Sequence, residues 1–340
     1  MKRTICLLFA LLFLVSLAAC TANVSTAPEA PVEEEKKDVP ADYSAVENAL
    51  AKIPSDRSLY TKATLKALDE AVNSIRYGLT EEDQETVDAC AKAVEDAVAA
   101  LKEKVRFTSY REIIDYVDSL GIDFDDLKSF DLSGYFEDTL LTETEDAGEE
   151  YLNETYYIGD SLTLYMHRYA TLPKENIYGV GSINPQHAAE DDLVTLSDGT
   201  PCTFAEAMEE IQPKRIVLTI GTNSMLMDSI DYITYFGTLV DDLKEGCPDA
   251  EIILQSTSPL TAEYEKNMRL LTNRNINRSN ALLAGLAAFK GVYYLNTAEA
   301  LKDEYGQLDV KYDLGEGYGH INAEAYAVWE TYLRTHAIVD

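Results

Sequence analysis

At 340 residues with 46% hydrophobic content, the chain has room for about two domains and at least one substantial core. Its net charge of −32, with no basic stripe, argues against a nucleic-acid binder. The same charge disfavours attraction to anionic lipid, so any membrane attachment has to be covalent or hydrophobic.

Lys2 and Arg3, followed by an apolar run over residues 5–14, read as a processing signal too short to span a bilayer. Leu17-Ala18-Ala19-Cys20 resembles the lipobox of bacterial lipoproteins. The resemblance implies removal of residues ahead of Cys20, lipid on Cys20, and an extracytoplasmic, membrane-anchored protein at the cell surface. An ordinary signal peptide with a chance cysteine is the competing reading. Losing Lys2 and Arg3 takes the net charge from −32 to −34. Residues 21–41, with Pro28, Pro31, Pro40 and the charge run 33–37, form a polar tether without periodicity. Cys90, Cys202 and Cys247 remain for the folded part, without metal-ligand spacing, and buried free thiols are expected.

Residues 42–105 carry three apolar stripes at helical spacing. The first holds Tyr43, Val46, Leu50 and Ile53, and Pro54-Ser55-Asp56 breaks it. Leu65, Leu68, Val72, Ile75 and Leu79 form the second, and Val87, Ala91, Val94, Val98, Leu101 and Val105 the third. Such stripes are core rather than binding faces. Asp42-Tyr43-Ser44-Ala45-Val46, Ser58-Leu59-Tyr60-Thr61 and the Ala/Val-rich third helix resemble the FIVAR module of bacterial surface proteins. That resemblance implies a small all-α three-helix module that contacts glycan or acts as a spacer.

Residues 106–150 predict one more helix, from Tyr110, Ile113, Ile114, Tyr116 and Val117, ending at Gly121. Asp123, Asp125, Asp126 and Asp131 follow. They lack the central glycine and closing glutamate of a calcium loop, so the segment reads as a solvated acidic connector.

From residue 151 to 340 the pattern alternates strand and helix. Strand candidates cover 155–158, 176–180, 215–220, 251–256 and 292–295. Helices lie near 161–170, 204–211, 230–244, 273–289 and 322–336. Continuous apolar strands between amphipathic helices predict an α/β fold, a parallel sheet with helices on both faces in a flavodoxin-like three-layer arrangement. Such a sheet carries its chemistry at the carboxyl ends of its strands. Ser161, Gly181 and Asn223 each follow a strand, so the three should share one edge.

A serine between strand end and helix start is lifted out of the sheet beside the unpaired donors of a helix's first turn. That setting suits a nucleophile, and it equally suits an ordinary N-cap serine. Gly159-Asp160-Ser161-Leu162, then Gly181, then Gly221-Thr222-Asn223, then His320, resemble in order the blocks of the GDSL-type, or SGNH, hydrolases over residues 151–340. The resemblance implies a metal-independent esterase with Ser161 as nucleophile and His320 as base. It implies an oxyanion hole from the Ser161 N–H, the Gly181 N–H and the Asn223 side-chain amide, with Gly179 competing for the glycine role. His167 reads as packing or surface, His187 as a substrate-side loop residue and His336 as part of a frayed end. Pro259 and its neighbours Ser256, Thr257, Ser258 and Leu260 are candidates for lining the pocket. Arg274 and Arg278 read as a solvated face.

The family usually places Asp three residues before the histidine, and here that position is Gly317. With Gly319 as an inserted residue, Glu316 becomes the equivalent acid. Asp313, reached by a looped-out glycine-rich segment, is the alternative, and a Ser–His dyad the third. With no His/Cys cluster, Gly-x-Gly-x-x-Gly fingerprint or Walker loop, no metal or cofactor is implied. The expected reaction removes a small acyl group, acetyl foremost, from a small-molecule, glycan or cell-wall substrate. An acyltransferase using the same Ser and His, and a non-catalytic glycan-binding lipoprotein, are the alternatives.

Overall fold

The computed structural model describes residues 39–339 apart from Leu226 and Asn267. The expected signal segment, the lipobox with Cys20, and the tether up to residue 38 lie outside the described residues. Among the described residues no helix is long and apolar enough to cross a membrane.

Three helices come first: α1 (Ser44–Leu50), α2 (Lys62–Asn73) and α3 (Gln84–Ala99). The apolar stripes meet as two small clusters, Val46 with Val87 and Ala91, and Ala49 with Leu68 and Val94. Then follow α4 (Tyr110–Ser119), α5 (Gly148–Asn153), β1 (Thr155–Gly159), α6 (Ser161–Tyr169), β2 (Ile177–Gly179) and α7 (Pro185–Glu190). A two-stranded ribbon of β3 (Val194–Thr195) and β4 (Pro201–Cys202) precedes α8 (Phe204–Ile211), β5 (Arg215–Thr219) and α9 (Ser229–Gly246). The chain closes with β6 (Glu251–Gln255), α10 (Ala262–Glu265), α11 (Asn273–Lys290), β7 (Tyr293–Leu295) and α12 (Ala323–Thr335).

The main sheet is parallel, in the order β2-β1-β5-β6-β7. Because side chains alternate across a strand, each strand feeds both faces. Ile158, Ile216, Leu218, Ile252, Leu254 and Tyr294 join the core beneath α4, α8, α9 and α11. Tyr157, Val217, Ile253 and Leu295 join the core beneath α6 and α12. This is the three-layer α/β sandwich expected from the strand pattern. Its order reverses at β1, where β2 lies on one side and β5 on the other. Open α/β sheets bind ligands outside the strand ends at such a switch point. Cys202 and Cys247 are buried free thiols, and Cys90 is a half-buried one.

Residues 106–150 differ from the expected connector. Ile113, Ile114 and Val117 of α4, with Phe124, Leu132 and Phe136 beyond it, are buried in the larger core. A Cβ at Gly237 of α9 would collide with the Tyr110 hydroxyl, so α4 lies against bare helix backbone there. Tyr294 N–H donates to Thr139 O at 2.7 Å and Leu141 N–H to Tyr294 O at 2.9 Å, which covers the free edge of β7. The acidic residues face outward while the apolar ones between them pack inward, and an aperiodic segment hides that division. Arg274 and Arg278, expected as a solvated face, pair with this segment through Asp125 at 3.1 Å and Asp118 at 2.9 Å.

A chain cut at residue 151 would therefore lose seven buried apolar side chains, Leu141 together with the six of α4 and the segment after it. At even ~2 kcal/mol each, their loss exceeds much of a domain's usual 5–15 kcal/mol. Protein beginning near residue 106 is expected to be soluble with a cooperative thermal transition, and protein beginning at 151 to be insoluble. A folded 151–340 fragment by circular dichroism would contradict this packing account.

The three-helix module meets the larger core at one end. Lys62 N–H donates to Asp138 Oδ1 at 2.7 Å, Lys104 pairs with Asp138 at 3.3 Å and Lys102 with Glu137 at 2.7 Å. A crevice of about 240 Å³ lies at this joint, bordered by Tyr135, Asp138 and Tyr293. Tyr293 opens β7, so the joint sits at the amino ends of the strands. Residues 39–41 bond instead to Leu79 and Glu81, at the opposite end of the helices.

Candidate active site

The site is built where β1 and β5 end. Gly159 closes β1 because no side chain fits there: a Cβ would overlap Thr163 Oγ1 and Thr219 O. Asp160 then caps α6. Its Oδ1 accepts the Leu162 N–H at 3.0 Å, and its Oδ2 accepts the Gly221 N–H from the next loop at 3.1 Å. Asp160 is 1% exposed, and burial raises its pKa although Gly221, Leu162 and Thr222 N–H groups favour the charged form. The cap is thus Asp160, not Ser161. The ordinary N-cap reading of Ser161 fails, and its hydroxyl is left for another partner.

That partner is His320, whose Nε2 stands 3.2 Å from Ser161 Oγ. His320 sits at the end of a glycine-rich loop just ahead of α12. The loop is pinned at its base by the antiparallel Asp313–Ile321 bridge and by Leu314 N–H donating to His320 O at 3.0 Å. Gly315, Gly317 and Gly319 all adopt positive φ, between 73° and 77°, which side chains rarely tolerate. The curled loop returns Glu316 beneath the imidazole, with Oε2 3.7 Å from Nδ1. Nδ1 itself is buried and has no hydrogen-bond partner among the described residues. Asp313 stays at the base of the loop, its Oδ1 accepting the Gly315 N–H at 3.0 Å.

The other expected residues lie on the same edge. Asn223, in the single turn Thr222–Ser224 after β5, donates from Nδ2 to Ile183 O at 3.2 Å. This ties the β5 turn to the loop after β2 and, among the described residues, leaves the second amide proton of Asn223 without a partner. Gly179 is explained by packing, since a Cβ there would strike the Leu164 backbone of α6. Gly181 has no such demand: a Cβ would find only Leu164 Cδ2, at 3.8 Å, and the residue is exposed. Ser224 is buried, and its hydroxyl has no partner among the described residues. Among the residues after β6, Leu260 lies against the site's glycine loop, within 3.1 Å of a Cβ built at Gly319.

The remaining histidines lie apart from this constellation. His187 completes a capping box with Asn184 at the start of α7. His336 stacks on Tyr332 with ring centroids 3.7 Å apart. Among the described residues no group of three or more His, Cys, Asp or Glu is placed to hold a metal ion. Sequence reasoning gave Asp160 no role, although an Asp directly before a helix start is a strong capping signal.

Fold and site together define an α/β protein with a serine–histidine pair at the switch point of its sheet. The GDSL-like Lipase/Acylhydrolase family matches residues 158–328, half of the chain, and the chain belongs to that family. Among solved structures it is similar to a GDSL-like lipase from Bacteroides thetaiotaomicron, at 15% identity over 62% of this chain and 97% of that one, TM-score 0.41. It is also similar to a catalytic mutant of an acetylxylan esterase from Geobacillus stearothermophilus, at 13% identity over 54% and 94%, TM-score 0.39. A family 3 carbohydrate esterase from Clostridium thermocellum shows 16% identity over 53% and 94%, TM-score 0.37. No curated protein matches the chain.

Proposed function

We propose that the protein is a serine esterase that removes small acyl groups, acetyl foremost, from a glycan or cell-wall polymer outside the cell. The observation that carries the catalytic half is the 3.2 Å approach of His320 Nε2 to Ser161 Oγ. Ser161 Oγ attacks the ester carbonyl while Nε2 takes its proton. The carbonyl oxygen becomes an oxyanion, held by the N–H groups of Ser161 and Gly181 and the second amide proton of Asn223. Collapse of this intermediate breaks the bond to the alcohol, which leaves with the proton from Nε2. Water then attacks the acyl-serine, Nε2 taking and returning a proton, and the carboxylic acid departs. Glu316 orients the imidazole and balances its positive charge in both halves.

The substrate half rests on other features. The lipobox resemblance of residues 17–20 implies lipid on Cys20, and the FIVAR resemblance of the helical module suits a surface protein. The module also supports a substrate beyond the membrane. Residues 39–41 sit at its far end, α3 with 16 residues is roughly 24 Å long, and the joint lies at the amino ends of the strands. An anchored chain would thus hold the catalytic edge on the side away from the module. A net charge of −32 disfavours polyanionic substrates, so the acylated glycan is a neutral one.

Acetate release from acetylated xylo-oligosaccharides, set beside fatty-acid release from phosphatidylcholine vesicles, tests the substrate. Acetate without fatty acid is expected; fatty acid without acetate would overturn the reading. Cys20→Ala should move the protein out of the membrane fraction or block its processing, and unchanged detergent partitioning would count against the anchor.

A further inference from the structure

We propose that Tyr165 is a positioning residue that holds Glu316 and His320 in register. The proposal rests on the serine-esterase reading above. Glu316 is an unusual orienter: its side chain is 39% exposed, it rides on a glycine-rich loop, and its carboxylate stops 3.7 Å from Nδ1. That separation exceeds a hydrogen bond. A long, half-solvated glutamate has rotamer freedom that a buried orienting carboxylate lacks. Something else has to fix it.

Tyr165 does so twice. Its hydroxyl donates to Glu316 Oε2 at 3.2 Å, the same oxygen that faces Nδ1. Its ring lies against the imidazole, with centroids 4.3 Å apart and planes 31° from parallel. Tyr165 is the residue four after Ser161 on α6, so one helical face presents the nucleophile and clamps the base. The clamp is backed from the interior. Tyr165 stacks on Tyr169 at 5.9 Å, and Tyr169 stacks on Tyr326 at 6.3 Å. Tyr326 is 1% exposed, and its hydroxyl donates to Leu162 O at 2.6 Å, beside the nucleophile. A run of rings therefore links α12 through α6 to His320. The phenol supplies the fixity that a short aspartate at position 317 would have supplied by itself. As charge develops on the imidazole, Glu316 has less than an ångström to close, and Tyr165 keeps it aimed.

The test is a double-mutant cycle on p-nitrophenyl acetate with Tyr165→Phe and Glu316→Ala. Tyr165→Phe keeps the ring and removes the donor; kcat is expected to fall about tenfold with KM little changed. In the Glu316→Ala background the same change is expected to cost nothing further, because the hydroxyl acts through the carboxylate. Multiplicative effects, or a Tyr165→Phe enzyme within twofold of wild type, would overturn the proposal. A crystal structure of Tyr165→Phe reads it independently of turnover. Glu316 should leave its place beside Nδ1, and an unmoved carboxylate would refute the clamp. A wild type without turnover would sink the esterase reading, and the crystal structure would still decide the clamp.

Discussion

Ser161→Ala is expected to abolish turnover of p-nitrophenyl acetate, with a loss on the order of 10⁶ in kcat. The magnitude follows from losing the covalent route altogether, leaving only binding and the oxyanion donors to assist water. Stability should barely move, by less than about 0.5 kcal/mol. Three observations support that. Among the described residues the side chain of Ser161 bonds only to His320, α6 keeps its cap because the cap is Asp160, and alanine is a good first-turn residue. Unchanged melting with lost turnover separates chemistry from folding. Substantial activity in Ser161→Ala would place the nucleophile elsewhere.

Glu316→Gln is expected to lower kcat by at least about 10²-fold, while Asp313→Asn changes it little. The amide keeps the shape of Glu316 but cannot balance an imidazolium, and it removes the carboxylate nearest to Nδ1. The effect should fall below the ~10⁴ of a buried triad acid. Glu316 is partly solvated, and water dilutes its field. Asp313 spends its carboxylate on the Gly315 N–H and its backbone on the bridge to Ile321. Steady-state kinetics on both variants decides the matter. The reverse pattern would make Asp313 the acid, and two silent variants in an active enzyme would leave a Ser–His dyad.

Much of this was legible in the sequence where burial is continuous. The runs at Thr155–Gly159, Arg215–Thr219 and Glu251–Gln255 are apolar on both faces, as strands covered by helices must be. The helix expected near 204–211 forms as Phe204–Ile211, closed at its start by a capping box of Thr203 and Glu206. Pro185–Glu190 and the ribbon at 194–202 were not, being too short to show a period. Residues 106–150 misled because acidic side chains outnumber Phe124, Leu132 and Phe136, which pack without periodicity. Within the site, the order of Ser161, Gly181, Asn223 and His320 was legible as motif blocks. The reach of Glu316 depended on three glycines with positive φ, a geometry that sequence only hints at. Asp160 and Tyr165 stayed hidden because their partners, Gly221 and Glu316, are distant in the chain.

The most direct measurement is labelling of the intact protein with a fluorophosphonate, followed by peptide mass spectrometry. Wild type should carry one adduct, on Ser161, and His320→Ala should label far more slowly because no base takes the proton from Oγ. No labelling, or an adduct on another residue, would contradict the assignment of Ser161 as the nucleophile.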